Sequence, residues 1–333
     1  MSDNSHNNID LAKNTNHIFN KPLLSVIKIL VKNILIQLNV FIRRLLGRYR
    51  VLLVHTKPLS AVGGAEISLA YHVANLPYGV KVDVIQPQQE VDLSQYQVVI
   101  IANIRPDGGV GEEGEYANAN LWSQRLEDYQ GWSIKSEHDL HPCGHRNASC
   151  IEVDPLRRIP CGCSHMIPNA FEKLYNSCTS VRFLSPGHQQ VVNKLINITS
   201  KQFVVGSPID FTKYRSWTPY KERKAEALII GDALRVDHTV EQRAIEQGFK
   251  PVKVPHLSIQ PEDMPAIYNQ YQAVVISPVT YHPFCRMAVE AIACGCKVIH
   301  SNRVGAFTFG DPVQASRKSN TLFWKMVLRQ GLR

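Results

Sequence analysis

Residues 11–65 contain no aspartate or glutamate, and the 333-residue chain has no low-complexity tract. Glycine and proline, at 19 residues each, and a 44% share of apolar residues are ordinary for a globular protein. This composition excludes collagen-like, coiled-coil and largely disordered chains. At roughly 100–200 residues per domain, the length predicts two domains.

The chain has little excess charge outside its first fifty residues. Basic residues outnumber acidic ones 37 to 28, but residues 1–50 hold 8 of the basic and only 2 of the acidic side chains. The remaining balance of 29 to 26 is close to neutral. Because binding along a nucleic-acid backbone needs a basic face on the folded domain itself, we expect no nucleic-acid partner.

The leading segment also lacks an uncharged run long enough to span a bilayer. We predict a disordered arm over 1–20 and a basic amphipathic helix over 21–50, whose polar positions form one narrow stripe: Lys28, Lys32, Asn39 and Arg43. Its longest uncharged run, 33–42, is half of the ~20 residues that a spanning helix needs. We therefore expect a helix that lies in an anionic membrane surface, with a core-packed helix and a transmembrane span as alternatives.

Two series of apolar strands alternate with helical stretches after residue 50. Val51–His55 is a continuous apolar run followed by a glycine turn and a helix, and a second series begins near Phe203. Buried parallel strands have this pattern. We predict an α/β fold of two doubly wound, Rossmann-like domains, 51–198 and 199–333, the second ending in a helix. The default ligand site is the cleft between them.

The most specific motif runs from Ser277 to His300 and reads SPVTYHPFCRMAVEAIACGCKVIH. A strand here leads through a turn into a helix, whose first turn presents free N–H groups and the positive end of the dipole. Such a helix end suits a diphosphate, and Arg286 would add a bidentate partner. Glu290, one turn further on, would lie on the same face and could accept from two ribose hydroxyls.

This stretch resembles the signature of retaining GT-B glycosyltransferases of the family 4 type. Pro283 to Arg286 match a branch with Glu-Pro-Phe-Cys-Arg at the turn, and Glu290 matches the second of the family's two glutamates. The resemblance implies a nucleotide-sugar donor. His282 stands where the first glutamate, which contacts the donor sugar, is expected. An imidazole cannot accept two hydroxyls as a carboxylate does.

Further stretches extend the resemblance into both domains. Gly63 and Gly64 resemble the family's glycine loop, which approaches the donor phosphate or the acceptor, and His138 resembles a histidine beside the reacting sugar. The basic pair expected after the strand at 227–231 is absent, and Arg235 is its candidate substitute. The predicted catalytic residues are His138, His282 and Glu290. The predicted donor-binding residues are Gly63, Gly64, Arg235, Pro283, Phe284, Cys285, Arg286 and Glu290.

The eight cysteines do not form the framework of a small secreted protein, and we expect a reduced, cytoplasmic body. Four of them share a stretch with three histidines: Cys143, Cys150, Cys161 and Cys163 with His141, His145 and His165. Because their spacing does not fit paired zinc knuckles, we favour free thiols over zinc and expect no metal site. Cys285, Cys294 and Cys296 are more simply small core residues.

Together these patterns predict a glycosyltransferase at the cytoplasmic face of a membrane. It would move a sugar from a nucleoside-diphosphate carrier to a glycan or lipid-linked acceptor with retention, and we expect no cofactor beyond that donor. One alternative is a degenerate GT-B protein that binds a glycan or a partner without turnover. A nucleotide-sugar epimerase is another, but it would have little use for residues 22–50.

Overall fold

The computed structural model describes residues 23–61, 63–104, 112–141, 166–230, 238–254, 259–278 and 281–329. The arm expected over 1–20 lies outside these ranges, as do Arg235 and the cysteines between 142 and 165.

The first lobe is built on a parallel six-stranded sheet with the order β2-β1-β3-β4-β5-β6. Two of its strands, 49–55 and 98–103, contain the continuous apolar runs 51–54 and 98–102, which are buried as expected for strands covered on both faces. The strands are β1 (Tyr49–His55), β2 (Val80–Ile85), β3 (Val98–Asn103), β4 (Trp132–Ser136), β5 (Ser180–Phe183) and β6 (Lys201–Val204). Its helices are α1 (Leu23–Leu45), α2 (Gly64–Ala74), α3 (Glu112–Glu127), α4 (Met166–Ser177) and α5 (Pro186–Leu195).

The second lobe is built on a parallel four-stranded sheet with the order β10-β9-β7-β8. The strands are β7 (Lys224–Ile230), β8 (Lys250–Val254), β9 (Tyr271–Ile276) and β10 (Lys297–His300). The remaining helices are α6 (His238–Glu246), α7 (Met264–Tyr268), α8 (Arg286–Ala293) and α9 (Pro312–Val327), and short 3₁₀ turns span 93–95, 220–222 and 305–309.

Each sheet reverses its strand order once, between β1 and β3 in the first lobe and between β7 and β9 in the second. Ligands of doubly wound sheets bind outside the carboxyl ends of the strands at such a switch point. The glycine loop follows β1, and the 277–300 motif follows β9. Both motifs therefore lie at the expected edges.

The structure differs from the sequence-based division in two places. The strand at 201–204, which we assigned to the second series, pairs in parallel with β5 at the edge of the first sheet, with Phe183 opposite Val204. The last helix, α9, crosses back to the first lobe, where Phe323 and Trp324 pack with Val51. A local pattern shows that a segment is a strand or a helix, whereas its neighbour depends on contacts distant in sequence.

Helix α1 covers one edge of the first lobe along a narrow face. Val40 is buried, and Gln37 Nε2 donates to the carbonyl of Arg329 at 2.6 Å, which ties α1 to the end of α9. Ten apolar side chains of α1 are 45–59% exposed; Ile29 is on the same side of the helix as Val40, and the other nine are on the side that faces away from the body. These nine are Ile27, Leu30, Val31, Ile34, Leu35, Leu38, Phe41, Ile42 and Leu45. Within the ranges described above, no helix combines the length and apolarity needed to cross a membrane.

Candidate functional site

The second-lobe turn (residues 282–285) is held by backbone contacts. His282 N donates to the carbonyl of Arg303 at 2.8 Å, and Gly305 N donates to the carbonyl of His282 at 2.9 Å. A Cβ on Gly305 would stand 2.2 Å from the oxygen of Pro283 and 2.6 Å from Ser185 Oγ. The glycine is therefore required by the close approach of the turn.

Pro283 and Phe284 connect this turn to the first lobe. Ser185 Oγ, just after β5, donates to the carbonyl of Pro283 at 2.6 Å. Phe284 is buried, and its ring packs edge-on against that of Phe309 with the centroids 6.3 Å apart. A Cβ added to Gly206 would lie 3.0 Å from the same ring. The segments that follow β5 and β9 thus meet directly, which places the carboxyl ends of the two sheets opposite each other.

Cys285 takes the left-handed conformation, with φ 63°, and immediately precedes α8. This sharp change of direction aims the N-terminus of α8 out of the turn. The free thiol is partly buried, and burial raises its pKa to about 12, so the sulfur is a protonated packing group rather than a thiolate. Cys294 and Cys296 are buried, as expected for core residues.

Arg286 and Glu290 lie on one face of α8, which confirms the predicted geometry. Arg286 Nη2 is 3.3 Å from Glu290 Oε1, and both side chains are about nine-tenths buried. Arg286 Nη1 also donates to Ser207 Oγ at 3.3 Å and to the carbonyl of Pro208. Burial raises the pKa of Glu290, and the Arg286 guanidinium opposes this shift.

The glycine loop of the first lobe faces Arg286. A Cβ added to Gly64 would lie 3.9 Å from Arg286 Cδ, so backbone and guanidinium stem approach across the cleft. Gly63 is the N-cap of α2 with extended backbone, and the carboxylate of Glu66 lies against its Cα. His55 Nε2, at the end of β1, is 3.7 Å from Glu66 Oε1.

The first-lobe loop (residues 137–141) follows β4 and rests on a buried charge network. Lys135 Nζ lies 3.1 Å from Glu137 Oε2, and both side chains are fully buried. Glu137 also pairs with His141 Nδ1 and accepts from Tyr175 OH. Burial alone would raise the pKa of Glu137, but His141 and Lys135 hold it well below its usual range. The carboxylate is thus a permanent anion that organises the loop.

This loop also approaches the second-lobe turn. His188 Nε2 on α5 donates to the carbonyl of Asp139 at 2.9 Å and fixes the middle of the loop. Desolvation lowers the pKa of His282, and the negative charge of Asp139 acts in the opposite direction. The charge of Asp139 in one lobe therefore acts on the imidazole of His282 in the other.

Sequence reasoning missed the charged residues inside the strands. Lys135 and Arg182 are fully buried in β4 and β5. Arg182 donates to the carbonyls of Val205 at 3.1 Å and Gly206 at 2.7 Å, and no described carboxylate lies within ion-pair distance of it. A lysine or arginine within a predicted buried strand is the signal that could have found both, because such residues are almost never fully buried without a partner.

Of the predicted site residues, the structure brings together Gly64, Arg286 and Glu290 along the cleft, with Gly63 beside them. Pro283, Phe284 and Cys285 support the turn rather than line it with polar groups. His138 belongs to the first-lobe loop, and Arg235 lies outside the described residues.

A zinc site including His141 is not supported. Its Nδ1 pairs with Glu137 and its Nε2 lies 2.8 Å from Asn103 Oδ1, so both ring nitrogens are engaged. In the part of the chain that the structure describes, no three cysteine, histidine or acidic side chains are grouped as metal ligands. The four cysteines of the predicted cluster lie outside that part.

Comparison with solved structures identifies the fold as GT-B, that of two-lobed glycosyltransferases. Sucrose-phosphate synthase from Thermosynechococcus elongatus is similar with a TM-score of 0.53 and 12% identity, over 85% of this chain and 97% of that one. HepE of Anabaena, solved with UDP-glucose, has a TM-score of 0.48 and 12% identity, over 84% and 91% of the two chains. No protein-family profile and no curated protein sequence matches the chain.

Proposed function

We propose that this protein is a retaining glycosyltransferase that moves a sugar from a nucleoside-diphosphate carrier to a hydroxyl of a glycan or lipid-linked acceptor. One observation carries the proposal. The N-terminus of α8, with Arg286 and Glu290, faces the glycine loop of the other lobe at the switch points of both sheets. Retention is proposed from the resemblance of residues 277–300 to retaining enzymes.

Binding of the donor would break the ion pair between Arg286 and Glu290 on α8, and each side chain would then contact the donor instead. Diphosphate oxygens replace Glu290 as the partner of Arg286, since a guanidinium binds phosphate bidentately and the helix N-terminus adds free N–H groups. Ribose hydroxyls then become the partners of the Glu290 carboxylate. The charge that develops on the leaving diphosphate is stabilised by groups already in place, and the acceptor is positioned from the first lobe.

The α1 helix is proposed to hold the cleft at the cytoplasmic surface of a membrane. At about 100° per residue, the nine exposed apolar residues on the outward side of α1 cover an arc of about 140°, and the exposed Ile29 lies outside this arc. Lys28, Lys32 and Arg43 lie along one border of this arc. An apolar face bordered by basic residues suits an anionic bilayer surface.

Calorimetry with UDP-, GDP-, ADP- and dTDP-sugars tests the donor site in the full-length protein. We expect saturable binding of one donor, and a Kd raised about tenfold or more in Glu290→Gln because hydrogen bonds to a charged acceptor are lost. Glu246→Gln, on the exposed end of α6, is the matched control. No binding across the panel would refute the proposed donor site.

Flotation with phosphatidylcholine vesicles, with and without phosphatidylserine, tests the surface helix. We expect binding to the anionic vesicles that weakens with added salt and is lost in the double variant Ile34→Ser and Phe41→Ser. Ile67→Ser removes an apolar side chain exposed elsewhere and is the control. Equal flotation of all three proteins would contradict the role of α1.

His282 favours a second candidate, a GT-B protein that binds a donor or glycan without turnover. His282 is the exposed first residue of the second-lobe turn, at the position where the family that this stretch resembles carries a glutamate. Donor hydrolysis or transfer by the wild type, measured as release of the nucleoside diphosphate, would exclude this candidate. Turnover that is gained only in His282→Glu would establish it.

A further inference from the structure

Among the described residues, the imidazole of His138 is hydrogen-bonded through one ring nitrogen only. His138 Nε2 lies 3.1 Å from Ser136 Oγ, and Arg182 Nη1 is 3.1 Å from the same hydroxyl and 3.5 Å from Nε2. Ser136 and Arg182 are fully buried, and His138 is 9% exposed. The other nitrogen, Nδ1, is buried without a hydrogen-bond partner among the described residues.

The direction of these hydrogen bonds follows from the donors. A guanidinium has no acceptor, so Arg182 donates to Ser136 Oγ. The serine hydroxyl has one hydrogen, which is then directed at His138 Nε2. A proton on Nε2 would leave the serine hydrogen without an acceptor among the described residues, and it would place an N–H against the Arg182 guanidinium, whose Nη1 is 3.5 Å from Nε2. His138 Nε2 must therefore be the acceptor, and the single ring proton lies on Nδ1.

The surroundings reinforce this assignment. Burial and the positive charge of Arg182 hold the pKa of His138 well below its usual range, while Glu137 acts weakly in the opposite direction. Arg182 is itself fixed by the carbonyls of Val205 and Gly206, so the cation cannot turn away. An unpaired buried donor is costly unless a ligand or water satisfies it.

We propose that Arg182 and Ser136 are positioning residues that lock His138 as a neutral Nδ1–H donor for an oxygen of the bound sugar nucleotide or acceptor. His138 then orients its ligand and takes no proton in the reaction. Because Nδ1 is buried in this structure, the proposed ligand contact requires the groups that cover it to move. The ligand contact rests on the proposed function, whereas the locked tautomer does not.

Nitrogen-15 NMR of the histidine side chains in the full-length protein tests the lock directly. The His138 signal is assigned by its absence in His138→Gln. We expect a neutral ring protonated at Nδ1 throughout pH 8 to 5. A proton on Nε2, or titration near the ordinary histidine pKa of about 6.5, would overturn the proposal.

Ser136→Ala is the informative variant, since it removes only the bridging hydroxyl. We expect a mixture of tautomers in its NMR spectrum. We also expect kcat for sugar transfer to fall about tenfold, with KM changed less than twofold, because the ligand meets a donor in only part of the molecules. Ser133→Ala, on the same strand but bonded to Thr179, should change neither. An unchanged tautomer in Ser136→Ala would overturn the proposal that Ser136 locks His138.

The two readouts separate the proposals. If no donor is bound or turned over and the Nδ1–H tautomer is present, the proposed function fails and the lock stands. If transfer occurs but His138 is an Nε2–H tautomer or a cation, the lock fails and the proposed function stands.

Discussion

In the first lobe, the loop at 137–141 rests on buried charges, whereas in the second lobe the turn at 282–285 rests on close backbone contacts. Glu137 gathers Lys135, His141 and Tyr175 beneath the first-lobe loop. The second-lobe turn is instead pinned by carbonyls and by a glycine that leaves no room for a side chain. Substitutions should therefore act on the two halves of one cleft through different physical terms, electrostatic in one and steric in the other.

The largest expected effect is that of Glu137→Gln. The change leaves Lys135 as a buried cation without its anion, and we expect a loss of about 3–5 kcal/mol in the free energy of unfolding. Asp83→Asn breaks the half-exposed pair with Arg50, in which Nη2 and Oδ2 are 2.7 Å apart, and should cost much less because solvent screens exposed ion pairs. Urea denaturation of both variants measures the difference, and similar losses would show that the buried network of the first-lobe loop contributes no more to stability than an exposed ion pair.

The pH dependence of stability sharpens the electrostatic side of the comparison. Burial lowers the pKa of His188 from 6.5 to about 4, so below pH 6.5 the unfolded chain binds a proton that the folded chain does not. Stability therefore falls as the pH drops from 6.5 toward 4, by about 1.4 kcal/mol per pH unit for this one group.

His188→Gln removes that titration while keeping an acceptor and a donor in the side chain. We expect the loss of unfolding free energy between pH 6.5 and 5.5 to be about 1 kcal/mol smaller in this variant than in the wild type, because the unfolded histidine is only half protonated at pH 6.5. Urea midpoints at the two pH values measure it. An identical pH dependence in both proteins would mean that His188 is not held neutral.

Gly305→Ala tests the steric half. The added Cβ meets the Pro283 oxygen at 2.2 Å, so the second-lobe turn must move, at a cost of about 1–3 kcal/mol. Gly64→Ala is the matched control, because its Cβ would meet only Arg286 Cδ at 3.9 Å, and we expect a change within about 0.5 kcal/mol. Thermal unfolding compares the two, and a harmless Gly305→Ala would show that the turn adapts.

The smallest effect is expected at Cys285. A left-handed conformation disfavours side chains, so Cys285→Gly should stabilise the protein by less than about 1 kcal/mol after the loss of the packed thiol. Cys285→Val, with a branched Cβ, should destabilise it instead. A reversed order in thermal unfolding would indicate that packing of the side chain outweighs the backbone conformation.

The comparison also shows how much of the site could be predicted from sequence. In the second-lobe half, the pairing of Arg286 with Glu290 is local and follows from their spacing on one helix, whereas the contact of Ser185 with the turn, 98 positions away, could not be predicted. The first-lobe half depends on contacts distant in sequence, since Tyr175 reaches Glu137 across 38 positions. Single polar residues in apolar strands gave no indication of their partners.

The fold divides in the same way. Alternating apolar runs and helical stretches were sufficient to predict two doubly wound α/β lobes. The lobe to which β6 belongs was not predictable, because nothing in its four residues, KQFV, specifies the strand with which it pairs. Likewise, the amphipathic pattern of α9 shows that it packs on something, and only its approach to β1 and β3 shows on what.

The chain passes between the lobes twice, once at 205–208 after β6 and once ahead of α9, where Gly310 has a φ of 79°. A body joined to another at two points is left chiefly with rotation about the line that connects them. Opening of the cleft is then a movement with a single hinge axis. During such a rotation, we expect His282 and the first-lobe loop to separate and to return to the same relative position.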